Sequence, residues 1–348
     1  MTPLETTSAK PQSWWWGAIF LSVVALLFAP SLIDLATQFD ITAIFVFGIL
    51  AMSMSFLWGA AGMLSFGQTI FFGLGGYGYT VLTMNGFSGL VSLSAAILLG
   101  ATFAALLGYF MIYGRISDIF LSVITLVVTL IFEKLIRTTS GPENVIGSVR
   151  LNGTNGIPGI PGLTLPFTGG EPLSIEGVFW LTGGLLLFCY VVLRLVLASR
   201  FGRILVGIRE NERRMELLGY DTRFYRLSAF VIAGAAAALS GVLFALWGSF
   251  VGPEMFNLNQ AAQIVIWVIV GGRSTLIGPV VGVALVQYLT NWLGTAGLGQ
   301  VSTVLGLVLI GFVLLFPDGL IPALDRALGK IIARRATRSV KEGQANAN

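Results

Sequence analysis

The chain has 348 residues, 55% of them hydrophobic and only 10% charged, with a mean hydropathy of +0.87. A soluble domain carries about 25% charged residues, and a core of this size cannot hide so much apolar surface, so lipid is the expected solvent for much of the chain. With no His and one Cys, disulfide frameworks, the usual zinc sites and Ser-His or Cys-His nucleophile pairs are excluded.

In chain order, residues 1–13 form a polar tail that ends in Trp14, Trp15 and Trp16, a triplet suited to the membrane interface. The apolar run 17–35 that follows is too long for the apolar region of a signal peptide and reads as an uncleaved helix. Further runs occupy about 41–60, 69–84, 90–113, 119–136, 177–197, 228–247, 258–272, 278–295 and 301–316. The expected fold is therefore an all-α polytopic membrane protein with about ten transmembrane helices, some of them broken or re-entrant.

The first break lies in Gly59–Tyr79, where an apolar span stops, turns and restarts through Gly59, Gly62, Gly67, Gly73, Gly75, Gly76 and Gly78. Non-helical backbone at membrane depth is tolerated only where protein buries it or where it lines a watery cavity. Broken helices of this kind mark solute sites in transporters, although small residues also serve close helix packing. Ser65 and Gln68 are the polar candidates beside the break. Further on, Glu133 is placed to pair with Lys134 or Arg137 at the end of its span. Cys189, inside an apolar run, reads as a small buried hydrophobe.

Charge placement sets orientation. Eight Arg lie between Arg194 and Arg226 and six Lys or Arg between Arg326 and Lys341, fourteen of the twenty basic residues in all. Both clusters flank apolar runs, as cytoplasmic segments do, which argues against a nucleic-acid partner. With the loop 198–227 and the basic tail 319–348 in the cytoplasm, ten spans put both termini inside and the segment 138–176 outside.

Within the loop, Ile204, Leu205, Ile208, Met215 and Leu218 fall near helical spacing, and Gly219 supplies a stop. Glu210, Glu212, Glu216 and Asp221 offset four of the eight Arg. A helix lying on lipid headgroups would be mostly basic, so this mixture suits a protein partner. A second glycine-rich turn, Val270–Gly282, ends one helix at Gly271 and Gly272 and places Pro279 early in the next, where it is allowed.

Together these segments resemble the permease subunits of branched-chain amino acid ABC importers, a family that includes the urea and short-chain amide importers. The pattern GxxGxLSxGxxxFxGxGxY is met by Gly59, Gly62, Leu64, Ser65, Gly67, Phe71, Gly73, Gly75 and Tyr77. The cytoplasmic pattern GRxLxAIRENExxxxxLG is met by Gly202, Arg203, Leu205, Ile208, Arg209, Glu210, Asn211, Glu212, Leu218 and Gly219. The turn GGRGTLxGP is met by Gly271, Gly272, Arg273, Thr275, Leu276, Gly278 and Pro279, and the GTNGI stretch by residues 153–157. Departures are Gln68, where the family usually has His, and Gly207 in place of Ala.

The resemblance implies a permease domain over 14–318, a sister permease, two cytoplasmic ATPase subunits and a periplasmic solute-binding protein, in a bacterial inner membrane. It implies no enzymatic activity and no cofactor on this chain, with ATP used by the partners. The absence of a GxxxxGK[ST] phosphate loop agrees. Candidate path residues for a small polar solute are then Ser65, Gly67, Gln68, Tyr77, Gly271 and Gly272. The segment 203–219 becomes a single coupling helix, with Arg203, Arg209, Glu210, Asn211, Glu212 and Gly219 facing the ATPase. A urea or amide importer is the alternative substrate class. A self-sufficient channel or secondary carrier is disfavoured, because Asp34, Asp118 and Glu133 all lie near run ends rather than in mid-span.

Overall fold

Helix starts in this chain are fixed by capping side chains, which take up amide donors that would otherwise lack partners in lipid. Asp34, Ser174, Asn211, Asp221 and Asn257 each accept from a backbone N–H in the first turn of the helix that follows. A computed structural model describes residues 33–164 and 171–295, with scattered positions between 23 and 31 and between 306 and 326.

The helices are α1 (Leu35–Ser55, running on into a π-helical turn over Phe56–Ala60), α2 (Gln68–Met84), α3 (Gly89–Tyr113) and α4 (Asp118–Thr138). They continue as α5 (Ile175–Ala198), α6 (Arg200–Glu210), α7 (Glu212–Leu217), α8 (Thr222–Gly248), α9 (Leu258–Gly271) and α10 (Gly278–Thr295). Eight of the ten runs read from the sequence coincide with these helices. The runs 17–35 and 301–316 fall mostly outside the described residues. By length and composition, five helices among the described residues are able to cross a membrane: α1 with its π turn, α3, α4, α5 and α8. The single helix expected over 203–219 is instead two, because Asn211 leaves the helical conformation at φ −161° and caps α7.

At the centre α2 lies along α8, α3 covers both, and α1 packs on α8 with α5 and α10 on its other sides. Lipid tails are as apolar as Leu, so what holds such helices together is close van der Waals contact. The α2–α8 seam achieves this with bare backbone. A Cβ at Gly241 would meet the Phe72 carbonyl, and one at Gly75 the backbone of Ala238. Aromatic rings fill the layers around the seam: Phe71 stands edge-on to Phe230 at 5.6 Å, and Phe47 lies between Phe72, Phe244 and Trp267.

Peripheral helices are apolar on the outside. On α4, Ile119, Phe120, Val123, Val127, Ile131 and Leu135 are all exposed. Its buried residues are Leu121, Ser122, Thr125 and Thr129. At the end of α4, Arg137 pairs with Glu133 at 3.0 Å, as the sequence suggested. Short strands cap this end of the bundle: β1 (Val145–Ile146) pairs with β2 (Val149–Arg150), and β3 (Ile157–Pro158) pairs with β4 (Phe250–Val251), just beyond α8. Cys189 is buried in α5.

Candidate functional site: the broken helix and the basic loop

The three motif segments, far apart in sequence, meet at one end of the bundle around the π-helical turn. The Gly59 carbonyl accepts from the Arg209 guanidinium of α6. On its other side Gly59 leaves room for the Arg273 carbonyl of the α9–α10 turn, which a Cβ would strike. Ser55 donates toward the same turn, 3.2 Å from the Thr275 carbonyl. The Arg273 guanidinium lies over the Trp58 ring at 5.5 Å. A π turn is a local distortion that often sits at functional sites, and here it receives contacts from both the basic loop and the second glycine-rich turn.

Between the π turn and α2, residues 62–65 are not helical. Their freed backbone groups need partners at membrane depth, and α4 supplies them from one face. Ser122 donates to the Leu64 carbonyl at 2.7 Å, Thr125 accepts from the Phe66 N–H at 3.1 Å, and Thr129 donates to the Phe66 carbonyl at 3.3 Å. The spacing of these residues, three and then four, puts them on one stripe of α4. Sequence reasoning missed this stripe, although its hydroxyl residues recur at helical spacing inside an otherwise apolar run.

Of the candidate path residues, Ser65, Gly67 and Gln68 come together and are buried in this conformation. Ser65 accepts from the Gly67 N–H at 3.1 Å. The Gln68 Oε1 accepts from Ser53 at 3.2 Å, and its Nε2 has no partner among the described residues. Tyr77 sits nine residues further along α2, about 13.5 Å from Gln68 at 1.5 Å per residue, against Phe256 and with its hydroxyl unpartnered among the described residues. Gly271 and Gly272 pack against Gly278 and Gly319 in the second turn. A cavity of about 70 Å³ lies at the opposite end of the bundle, between Phe72, Phe244, Phe250, Glu254 and Gln260. None of the residues singled out from the sequence lines it.

The coupling candidates are tied into the bundle. Arg203 donates to the Ala198 carbonyl at 3.0 Å, and Arg209 reaches Gly59 while pairing with the exposed Glu210 at 2.7 Å. Asn211 caps α7 through the Arg214 N–H at 2.9 Å. Glu212, its side chain 41% exposed, pairs with Arg226 of α8 at 2.8 Å. Gly219, at φ +87°, closes α7: the Tyr220 N–H reaches the Met215 carbonyl and the Gly219 N–H that of Glu216. That left-handed position is open to Gly without strain. The outward side of the loop is mixed: Arg213, Arg214, Glu216 and Asp221 are exposed, and among them Leu217 is 83% and Leu218 66% exposed, with Tyr220 and Phe224 beside them.

Comparisons with known proteins fit this arrangement. The family model for the permease component of branched-chain amino acid transport systems matches residues 38–317. The chain is 29% identical to the high-affinity branched-chain amino acid transport system permease protein LivM of Escherichia coli K12, over 70% of this chain and 59% of that protein. It is 23% identical to the ribose import permease protein RbsC of the same strain, covering 61% of this chain and 63% of the relative. With the autoinducer 2 import system permease protein LsrC of Yersinia pestis (strain Pestoides F) it shares 27% identity, over 70% and 71%. The chain thus spans about three fifths of the length of its LivM relatives, and no solved structure matches it. With 38–317 enclosing the broken helix, the basic loop and the second turn, the chain belongs to the family of branched-chain amino acid transport system permease components.

Proposed function

We propose that this chain forms one half of the translocation path of an ATP-driven importer for branched-chain or related amino acids, in the inner membrane of a bacterium. A sister permease completes the path, two ATPase subunits sit on the cytoplasmic side, and a solute-binding protein delivers cargo from outside. The observation that carries the reading is the basic loop. Its inner face is tied to α1 and α8, while its tip presents Leu217 and Leu218 to the side that its Arg content assigns to the cytoplasm. An apolar tip on a fixed strut is what a moving partner needs to grip.

Mechanically, closure of the ATPases would push this strut, and the bundle would rock against its sister around a central path. The chain itself does no ATP chemistry in this scheme. Ser65, Gly67, Gln68 and Tyr77, with Gly271 and Gly272, would meet the solute when the bundle opens. A second reading, import of a different small polar solute, is favoured by similarity to permeases named for ribose and autoinducer 2. Urea and short amides belong to the same alternative.

The test is uptake by the complete importer reconstituted in vesicles, with leucine, urea and ribose offered separately. ATP-dependent leucine uptake supports the proposal. Preference for ribose or urea supports the second reading, and uptake without any ATPase subunit refutes both. Leu217→Asp with Leu218→Asp should weaken ATPase capture about thirtyfold or more, as expected for buried interface anchors worth about 2 kcal/mol.

A further inference from the structure

Arg226 was not among the residues singled out from the sequence, yet its guanidinium makes three side-chain contacts. It belongs to the second turn of α8 and is only 9% exposed. Its Nη1 meets Glu212 of α7 at 2.8 Å, its Nη2 meets Asp118 at the start of α4, and its Nε lies 3.4 Å from the Met63 sulfur in the broken segment. Three other pieces of chain therefore converge on one planar fork carried by α8, a geometry suited to Arg.

We propose that Arg226 is a positioning residue that carries displacement of the basic loop into α4 and the broken helix. The inference rests on the importer reading above. Helix α7 grips α8 twice on one face, through Glu212 to Arg226 and through Glu216, which accepts from Thr222 at 3.2 Å. Pushing α7 therefore reaches α8 directly, together with the helices packed on it. Arg226 extends the grip past α8 to Asp118, and α4 in turn holds the break through Ser122, Thr125 and Thr129. The loop, α8, α4 and the backbone of residues 64–66 thereby form one continuous chain of polar contacts, a physical route for coupling between a docked partner and the solute path. Glu212 serves this internal route, which separates it from the outward Leu217 and Leu218.

The test uses the complete importer in vesicles, with solute uptake and ATP hydrolysis measured together. For Arg226→Gln, the ATP hydrolysed per solute taken up should rise about tenfold, within the usual range of coupling between two sites, while assembly and the KM for the loaded binding protein stay unchanged. Glu212→Gln, which leaves Arg226 its Asp118 partner, should raise the ratio less, and the double variant should match Arg226→Gln alone. Should Arg226→Gln fail to fold, Glu212→Gln combined with Asp118→Asn probes the same link, and a non-additive rise in the ratio is then the expected result. Uptake and hydrolysis falling in parallel, or neither changing, would overturn the inference. If the wild-type importer itself shows no ATP-dependent uptake, the importer reading fails first and takes this inference with it.

Discussion

The hydroxyl stripe of α4 makes a sharp prediction, because two of its members serve the same residue in different ways. Thr125 is the acceptor for the Phe66 N–H at 3.1 Å and is fully buried. Thr125→Val keeps the shape and removes the hydroxyl, which strands a buried amide. The cost of such an orphan is about 1–3 kcal/mol. Thr129 donates to the Phe66 carbonyl at 3.3 Å, but that carbonyl also accepts from Thr69 at 3.0 Å. Thr129→Val therefore leaves no orphan and should cost about 1 kcal/mol or less. Thr125→Ser, retaining the acceptor, should restore most of the Thr125→Val loss. Reversible unfolding in mixed detergent micelles, followed by fluorescence of the chain's eight Trp, measures all three. If Thr129→Val proves as costly as Thr125→Val, or Thr125→Val is neutral, the stripe does not hold the break.

Two further outcomes follow from packing. Gly241→Ala should push α2 and α8 apart, since the new methyl would meet the Phe72 carbonyl and the Gly76 N–H, and should cost about 1–3 kcal/mol; Gly248→Ala, with none of the described residues within 4 Å of the added Cβ, should be neutral in the same unfolding assay. Cys189, the only thiol in the chain, is 8% exposed and should resist a water-soluble maleimide until the bundle is unfolded, as mass spectrometry of labelled protein will show.

Much of the architecture is written locally. Apolar runs dictate helices, and the glycines at 59, 62, 67, 271 and 272 mark where those helices stop, because local composition suffices for both. Even the break within the basic loop left a signal, since Asn211 followed by Glu212 is a helix start; the apolar spacing of 204–218 masked it. Long-range pairing is different. Nothing near Arg226 distinguishes it from Arg223, for its partners Asp118 and Met63 lie 108 and 163 residues away. The same blindness hid the pairing of Glu212 with Arg226. A charge pattern gives the face of a helix but not which face turns inward until the neighbouring helices are placed. Ser122, Thr125 and Thr129 were hidden for a related reason: three hydroxyls in a long apolar helix change its composition little, and their value depends on the irregular backbone opposite.

Gln68 lies beside the broken segment, and its surroundings permit a decisive variant. In this conformation the amide is buried, with Oε1 on Ser53 and Nε2 unpartnered among the described residues. Gln68→Leu, of similar shape, removes one hydrogen bond and one orphan donor together, so the net change in stability should be within about 1 kcal/mol. A solute contact would be revealed separately, as a KM raised about tenfold or a changed order of preference among leucine, urea and ribose, since losing a hydrogen-bonding group costs discrimination far more than it costs folding. Unchanged uptake at unchanged stability would leave Gln68 as packing only. The geometry says what a solute contact requires. A Cβ on Gly67 would already lie 3.3 Å from Thr125, so a solute approaching Gln68 from the side of α4 needs the start of α2 to part from α4. The bonds that must give way are those of Thr125 and Thr129 to Phe66, at the end of the route that begins at Glu212 and passes through Arg226.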